Sequence, residues 1–166
     1  MAIIRSEDPG DIESIRSIHR AGFPTNAEAQ LVDLLREASH LTVSLVAEVD
    51  REVVGHIAFS PASTSSDTAG VGLAPVAVLP GFRCRGIGAK LVEAGLAACR
   101  SAGLGWVVVL GEPHYYSRFG FRPASDHNLV DEYGGGSAFQ VLELRPGALP
   151  SGPGIVRYSP EFGSLG

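Results

Sequence analysis

Apolar and polar positions along the chain change period several times, and each change marks an element. Ala2 to Arg5 reads as a first strand, and after Asp8-Pro9 the residues Ile12, Ile15 and Ile18 fall along one face of a helix. Thr25-Asn-Ala-Glu28 spells a capping box, in which a hydroxyl and a carboxylate satisfy free N–H groups, and it leads into Leu31, Leu34 and Leu35 of a second helix. Leu41 to Val49 and Glu52 to Ser60 alternate about Asp50-Arg51, which predicts a hairpin with the polar run Pro61 to Thr68 as its exit loop. A strand over Gly70 to Leu79 follows. A helix then runs from Gly86 to about Ala102, with Gly103 as a left-handed cap and Ala89, Ala94, Gly95 and Ala98 allowing close packing. Trp106 to Leu110 and Phe139 to Leu144 read as later strands. The tail after Pro146, rich in Gly and Pro, reads either as a wrapped extension or as loosely ordered chain. The organisation expected is one domain over 1–146 with 147–166 as its C-terminal extension, and no internal repeat.

Composition narrows the class. With 166 residues, 45% of them hydrophobic, the chain buries a core without disulfides or metals. A net charge of −5 and a pI near 5.5 argue against nucleic acid or an anionic membrane as partner and favour a cationic amine. No stretch approaches the ~20 apolar residues of a membrane helix. The start, Met1-Ala-Ile-Ile-Arg-Ser-Glu-Asp, lacks the basic-then-apolar order of a signal peptide, so a cytoplasmic location is expected. Cys84 and Cys99 show no metal spacing and no reason to pair.

The chemistry concentrates between Pro75 and Lys90, where an apolar strand meets a tight turn and a glycine-bearing loop that opens a helix. A helix start offers unpaired N–H groups and the positive end of a dipole; Gly86 and Gly88 clear side chains from an anion's approach. A P-loop is excluded because Ala89 and Leu91 stand where its Gly-Lys-Ser/Thr run would need other residues. A dinucleotide fingerprint fits poorly because its third glycine position is Leu91. Arg83 and Arg85 are either a solvated face or partners of the anion, since a basic residue opposes the dipole at a helix start unless an anion is present.

Arg-x-x-Gly-x-Gly at Arg83 to Gly88 resembles the acetyl-coenzyme A signature of the GNAT superfamily of N-acetyltransferases. A second box, Gly-Glu-Pro-His-Tyr-Tyr-Ser-Arg-Phe-Gly-Phe-Arg-Pro from Gly111 to Pro123, is similar to the segment in which that family carries a tyrosine ahead of a Phe-Gly-Phe turn. Its wording matches a bacterial branch of predicted acetyltransferases. The resemblance implies an α/β (α+β) fold: a mixed, mostly antiparallel sheet of about six or seven strands flanked by about four helices, with a splayed strand pair forming the cofactor cleft. It also implies a direct acetyl transfer from acetyl-CoA to a primary amine through a tetrahedral intermediate. The acceptor is a small-molecule or peptide amine, and a homodimer is left open.

Carried onto this chain, the resemblance places the coenzyme against Val76, Ala77 and Val78 and over the loop Arg83, Cys84, Arg85, Gly86, Ile87, Gly88 and Ala89, with Phe119 nearby. Tyr116 is then the proton donor to the departing thiolate, or else a core tyrosine; Tyr115 is the better core candidate. A main-chain N–H of Ala77 or Val78 polarises the carbonyl. Gly70 to Val78 contains no carboxylate, so the general base is open among Glu28, His56, Glu112, His114 and water. Cys84 has no histidine partner that would make it a nucleophile. The acceptor is expected against the first two helices, the loop after Ser60 and the segment Asp126 to Gly136. The competing function class is a sensor or structural module of the same fold that binds acyl-CoA without catalysis.

Overall fold

The computed structural model describes residues 1–165. In chain order the strands are β1 (Ile3–Ser6), β2 (Val43–Val49), β3 (Glu52–Ser63), β4 (Gly70–Val78), β5 (Trp106–Leu110), β6 (Arg122–Pro123), β7 (Leu129–Asp131), β8 (Phe139–Glu143) and β9 (Gly154–Tyr158). The helices are α1 (Ile12–Gly22), α2 (Ala27–Glu37), α3 (Ile87–Ser101) and the short α4 (Pro113–Tyr116). The fold is a mixed α/β one whose sheet runs β1-β2-β3-β4-β5-β8-β6, antiparallel at every neighbour except β4 and β5.

Asp50 and Arg51 turn the β2–β3 hairpin with φ of 48° and 68°, the left-handed pair whose twist matches that of the strands it joins. The strand that returns is longer than its alternation suggests. β3 continues through Pro61 to Ser63: Pro61 and Ala62 still face Val71 and Gly70 of β4, and Ala62 and Ser63 face Tyr158 and Arg157 of β9. The tail therefore belongs to the sheet, and β9 also lies parallel to β7.

β4 and β5 pair over three residues only: Gly70 with Trp106, Val71 with Val107 and Gly72 with Val108. Next the β3–β4 register shifts. Ile57 faces Val76 while Phe59 faces Leu73, so Ala74 and Pro75 bulge opposite Ala58. Pro75 has no N–H to offer a neighbour. Beyond this point β4 follows β3, whereas Val109 and Leu110 of β5 stay with Gln140 and Phe139 of β8. The two central strands part into a cleft.

α3 covers one face of the sheet, burying Leu91, Val92, Leu96 and Cys99 against Leu45, Ile57, Phe59 and Val71. Gly95 admits the Phe59 ring, since a Cβ there would fall 2.3 Å from it. On the opposite face Ile15 of α1 and Val32 of α2 meet Val46, while Leu31 and Leu35 join Trp106, Val108, Tyr158 and Phe162. Each such side chain contributes about 1.5–3 kcal/mol on burial. Leu34, expected on the buried face of α2, is 39% exposed. The Thr25 capping box is not formed either. The helix starts one residue later, at the Asn26 cap, so that Thr25 Oγ1 accepts the Ala27 N–H at 3.3 Å and Glu28 is free to turn inward.

A polar seam crosses the apolar face beneath α1 and α2. Arg36 holds Glu7 with two nitrogens at 2.9 and 3.1 Å, and Ser44 donates to the same carboxylate. The Ser44 oxygen is then left to accept from His56 Nε2 at 2.8 Å, which leaves His56 Nδ1 bare to accept from His19 Nε2 at 2.7 Å. Burial keeps both rings neutral: it pushes His19 down to about 4, and His56, fully enclosed and beside His19, well below its ordinary 6.5.

The unfolded chain protonates both histidines below about pH 6.5 and the folded one does not, so stability present above that pH drains as the pH falls through it. Urea unfolding between pH 7 and 4.5 is expected to lose up to about 1.4 kcal/mol per pH unit for each ring, and His19→Gln to remove roughly half of that slope. A stability that stays flat over this range would show the seam to be charged in the folded protein.

Candidate active site

The cleft opens into a groove of about 420 Å³. One wall is Val76, Ala77 and Val78 of β4; the floor is Arg83, Cys84, Gly86, Ile87, Gly88 and Ala89; Tyr115 and Arg118 close it from one side, and Gly22 and Phe23, at the end of α1, from another. The loop reaches this shape through two left-handed residues, Cys84 at φ 63° and Gly86 at φ 76°. The second is the α3 cap, where glycine alone adopts the conformation without strain. The first capping bond back to Gly86 comes from Lys90 N–H at 3.1 Å, and an α-helix leaves the amides of its first turn, here Ile87 to Ala89, without partners inside it.

Most of the residues expected at the coenzyme site meet here. Arg83 lines the groove and donates from Nε to the Val78 carbonyl at 3.2 Å. Arg85 does not line it. Its guanidinium lies over the Phe82 ring, 5.1 Å from the centroid, and faces a separate hollow of about 190 Å³ beside Met1, Ala2 and Val49. Phe119 stands behind the site, packed edge-on to Tyr115 at 5.5 Å. The patterns did not assign Tyr115, Arg118 and Phe23 to the groove. Arg118 covers the Tyr115 ring at 4.2 Å, and their spacing of three on a helical turn was the available signal.

Tyr115 and Tyr116 divide between two spaces. Their rings meet edge to face at 5.0 Å, and Tyr116, 8% exposed, points into a chamber of about 250 Å³. Gly111 makes room for it: a Cβ there would lie 2.4 Å from the Tyr116 ring. Burial, with Tyr115 adding to it, pushes the Tyr116 phenol up to about 12. Phe23 and Val76 wall both groove and chamber, so the two are neighbours across the parting strands.

The chamber also holds Glu28, at the first turn of α2. Its Oε1 is buried and has no hydrogen-bond partner among the described residues, a costly state for a carboxylate oxygen unless something else comes to fill the space. Of the other candidate bases, His56 is sealed inside the polar seam. Glu112 accepts the His114 N–H at 3.1 Å as the cap of α4, and neither it nor His114 lines groove or chamber.

Comparison with known proteins gives the family and the fold. A model of the acetyltransferase (GNAT) family matches residues 12–121. The chain is 42% identical over 163 residues to the uncharacterized N-acetyltransferase YhbS of Escherichia coli K12, covering 96% of this chain and 98% of that one. The crystal structure of YhbS in complex with CoA superposes with a TM-score of 0.93 at 41% identity, over 99% of this chain and 93% of that one. A Brucella melitensis GNAT family acetyltransferase in complex with acetyl-CoA gives 0.82 at 40% identity over 98% of each.

Gly111→Ala would force the Tyr116 ring out of its place. Overpacking of this kind is expected to cost about 1–3 kcal/mol, read by urea unfolding, and to bring the Tyr116 phenol down toward its ordinary range in an ultraviolet titration. An unchanged titration would show that the glycine does not set the ring.

Proposed function

We propose, from the premise that the chain belongs to the GNAT family of acetyltransferases, that it carries an acetyl group from acetyl-coenzyme A to a primary amine, with the coenzyme in the groove and transfer in the chamber. The observation that carries this reading is the pairing of an unpartnered, buried Glu28 oxygen with the Tyr116 phenol in a space adjoining a groove of bare amides.

The chain's residues fit the coenzyme. The free amides of the α3 start suit a diphosphate, and Arg83 and Arg118, both lining the groove and both exposed, would each add a solvent-screened charge-assisted contact of about 1–2 kcal/mol. Beyond Gly72 the side of β4 turned from β3 has no strand beside it among the described residues, which suits an extended amide arm paired as a missing strand would be. When bound, acetyl-CoA would supply an activated thioester, whose carbon gains a bond to nitrogen to give a tetrahedral intermediate and loses its bond to sulfur when that intermediate collapses.

Glu28 takes the proton that the amine loses. A main-chain N–H from the stretch Val76 to Val78 meets the charge that gathers on the carbonyl oxygen. The role of Tyr116 follows from magnitudes. A phenol near 12 gives up its proton to a thiolate of ordinary basicity, near 8.5, at a cost of roughly 5 kcal/mol, so full transfer is the weaker option. Tyr116 instead stays protonated and donates a hydrogen bond to the departing sulfur, with water completing protonation of the thiol.

Glu28→Gln is expected to lower kcat/KM by about 10²- to 10⁴-fold at neutral pH, and Tyr116→Phe to lower kcat by about 10- to 10³-fold, both with acetyl-CoA affinity kept. Thiol release and titration calorimetry measure the two quantities. Arg118→Ala, in contrast, should raise KM for acetyl-CoA about tenfold and leave kcat largely intact. Tight coenzyme binding without thiol release across a broad amine panel would favour a sensor of acyl-CoA.

A further inference from the structure

A further hollow, about 530 Å³, adjoins the chamber and shares Leu73, Ala74 and Leu110 with it; its outer walls are Tyr133, Tyr158 and Phe162. We infer that this hollow receives the body of the acceptor, and that the acceptor is a primary amine on a flat, apolar, aromatic body bearing one polar group. The inference rests on the acetyl-transfer reading for its reaction, and on the walls of the hollow for its chemistry.

The rings stand in a tilted row. Tyr133 and Tyr158 have centroids 6.0 Å apart with 33° between planes, and Tyr158 and Phe162 are 5.0 Å apart at 37°. A planar guest meets ring faces and edges in such a row, where offset and edge-on contacts are favourable. Leu110 and Tyr133 keep 38% and 50% of their surface open, so apolar area remains available to a ligand.

Tyr158 adds the polar element. The residue is 7% exposed, and its hydroxyl is buried with no hydrogen-bond partner among the described residues. Its place is dictated by the backbone: a Cβ on Gly72 would fall 2.6 Å from the ring, and Glu132 holds the Tyr158 N–H at 3.0 Å. A hydroxyl left without a partner in an apolar wall is satisfied when a ligand's polar group displaces the side chains that cover it.

The lining residues include no charged side chain. A polyamine or an aminoglycoside would have to strip water from its distal ammonium groups here, and the nearby carboxylates of Asp131 and Glu132 are already engaged, by main-chain N–H groups and, for Glu132, by Arg157. A single amine is accommodated differently, because its nitrogen reaches the chamber and Glu28 while the rest of the molecule stays among the rings.

Thiol release from acetyl-CoA with tyramine and 2-phenylethylamine, against cadaverine and a lysine amide, tests this. The aryl amines are expected to exceed the aliphatic ones at least tenfold in kcat/KM, and Tyr133→Ala, on a half-open residue at the rim, to cut that ratio about tenfold. Tyr158→Phe, which keeps the ring, should narrow the gap between tyramine and 2-phenylethylamine. Aliphatic amines that match the aryl ones, or an aryl preference that survives Tyr133→Ala, would overturn the inference and leave acetyl transfer standing. If no amine releases thiol, the transfer reading falls, and calorimetry of the two aryl amines against the CoA-loaded protein decides the rest. Binding weakened by Tyr133→Ala then upholds the hollow, and absence of heat removes it.

Discussion

The parting of β4 from β5 after Gly72 and Val108 is the constraint on which the molecule depends. Three paired residues bring the strands together, and a bulge at Ala74-Pro75 then turns β4 away. Without that divergence the open side of β4 would be filled by its neighbour's main chain. Groove, chamber and aromatic hollow would then have no common boundary. The strands can separate because each keeps another partner, β3 on one side and β8 on the other, so few hydrogen bonds are lost where the sheet opens.

Local chemistry made much of this readable. The glycine loop, the apolar strand before it and the helix after it stand where their residues place them, since Gly86 needs a left-handed φ and α3 needs its apolar stripe. The hairpin was visible for the same reason. What stayed hidden depends on contacts distant in sequence. Pro61 looked like the start of a loop, yet β3 runs on, with Pro61 and Ala62 held by β4 and Ala62 and Ser63 by β9, nearly a hundred residues later. Glu28 read as half of a capping box, and a shift of one residue in the start of α2 put it in the chamber instead.

The tandem tyrosines show the limit most clearly. Sequence alone made Tyr115 the better core candidate, but the short helix turns it onto the groove and sends Tyr116 into the adjoining chamber. The deciding contact is Gly111, whose missing side chain receives the Tyr116 ring. Likewise Arg83 and Arg85, two residues apart in an exposed loop, diverge because one finds the Val78 carbonyl and the other the face of Phe82.

The family match ends at residue 121, whereas Tyr133, Tyr158 and Phe162 come from the segment after it, clasped to the sheet through β9. On the proposed reading, the aromatic wall of the acceptor hollow and the residues of the transfer site come from separate stretches of chain. Descendants of one ancestor could exchange their last forty residues and take up new acceptors, each inheriting an intact transfer apparatus, and kinship measured over the shared segment would then say little about what any of them acetylates.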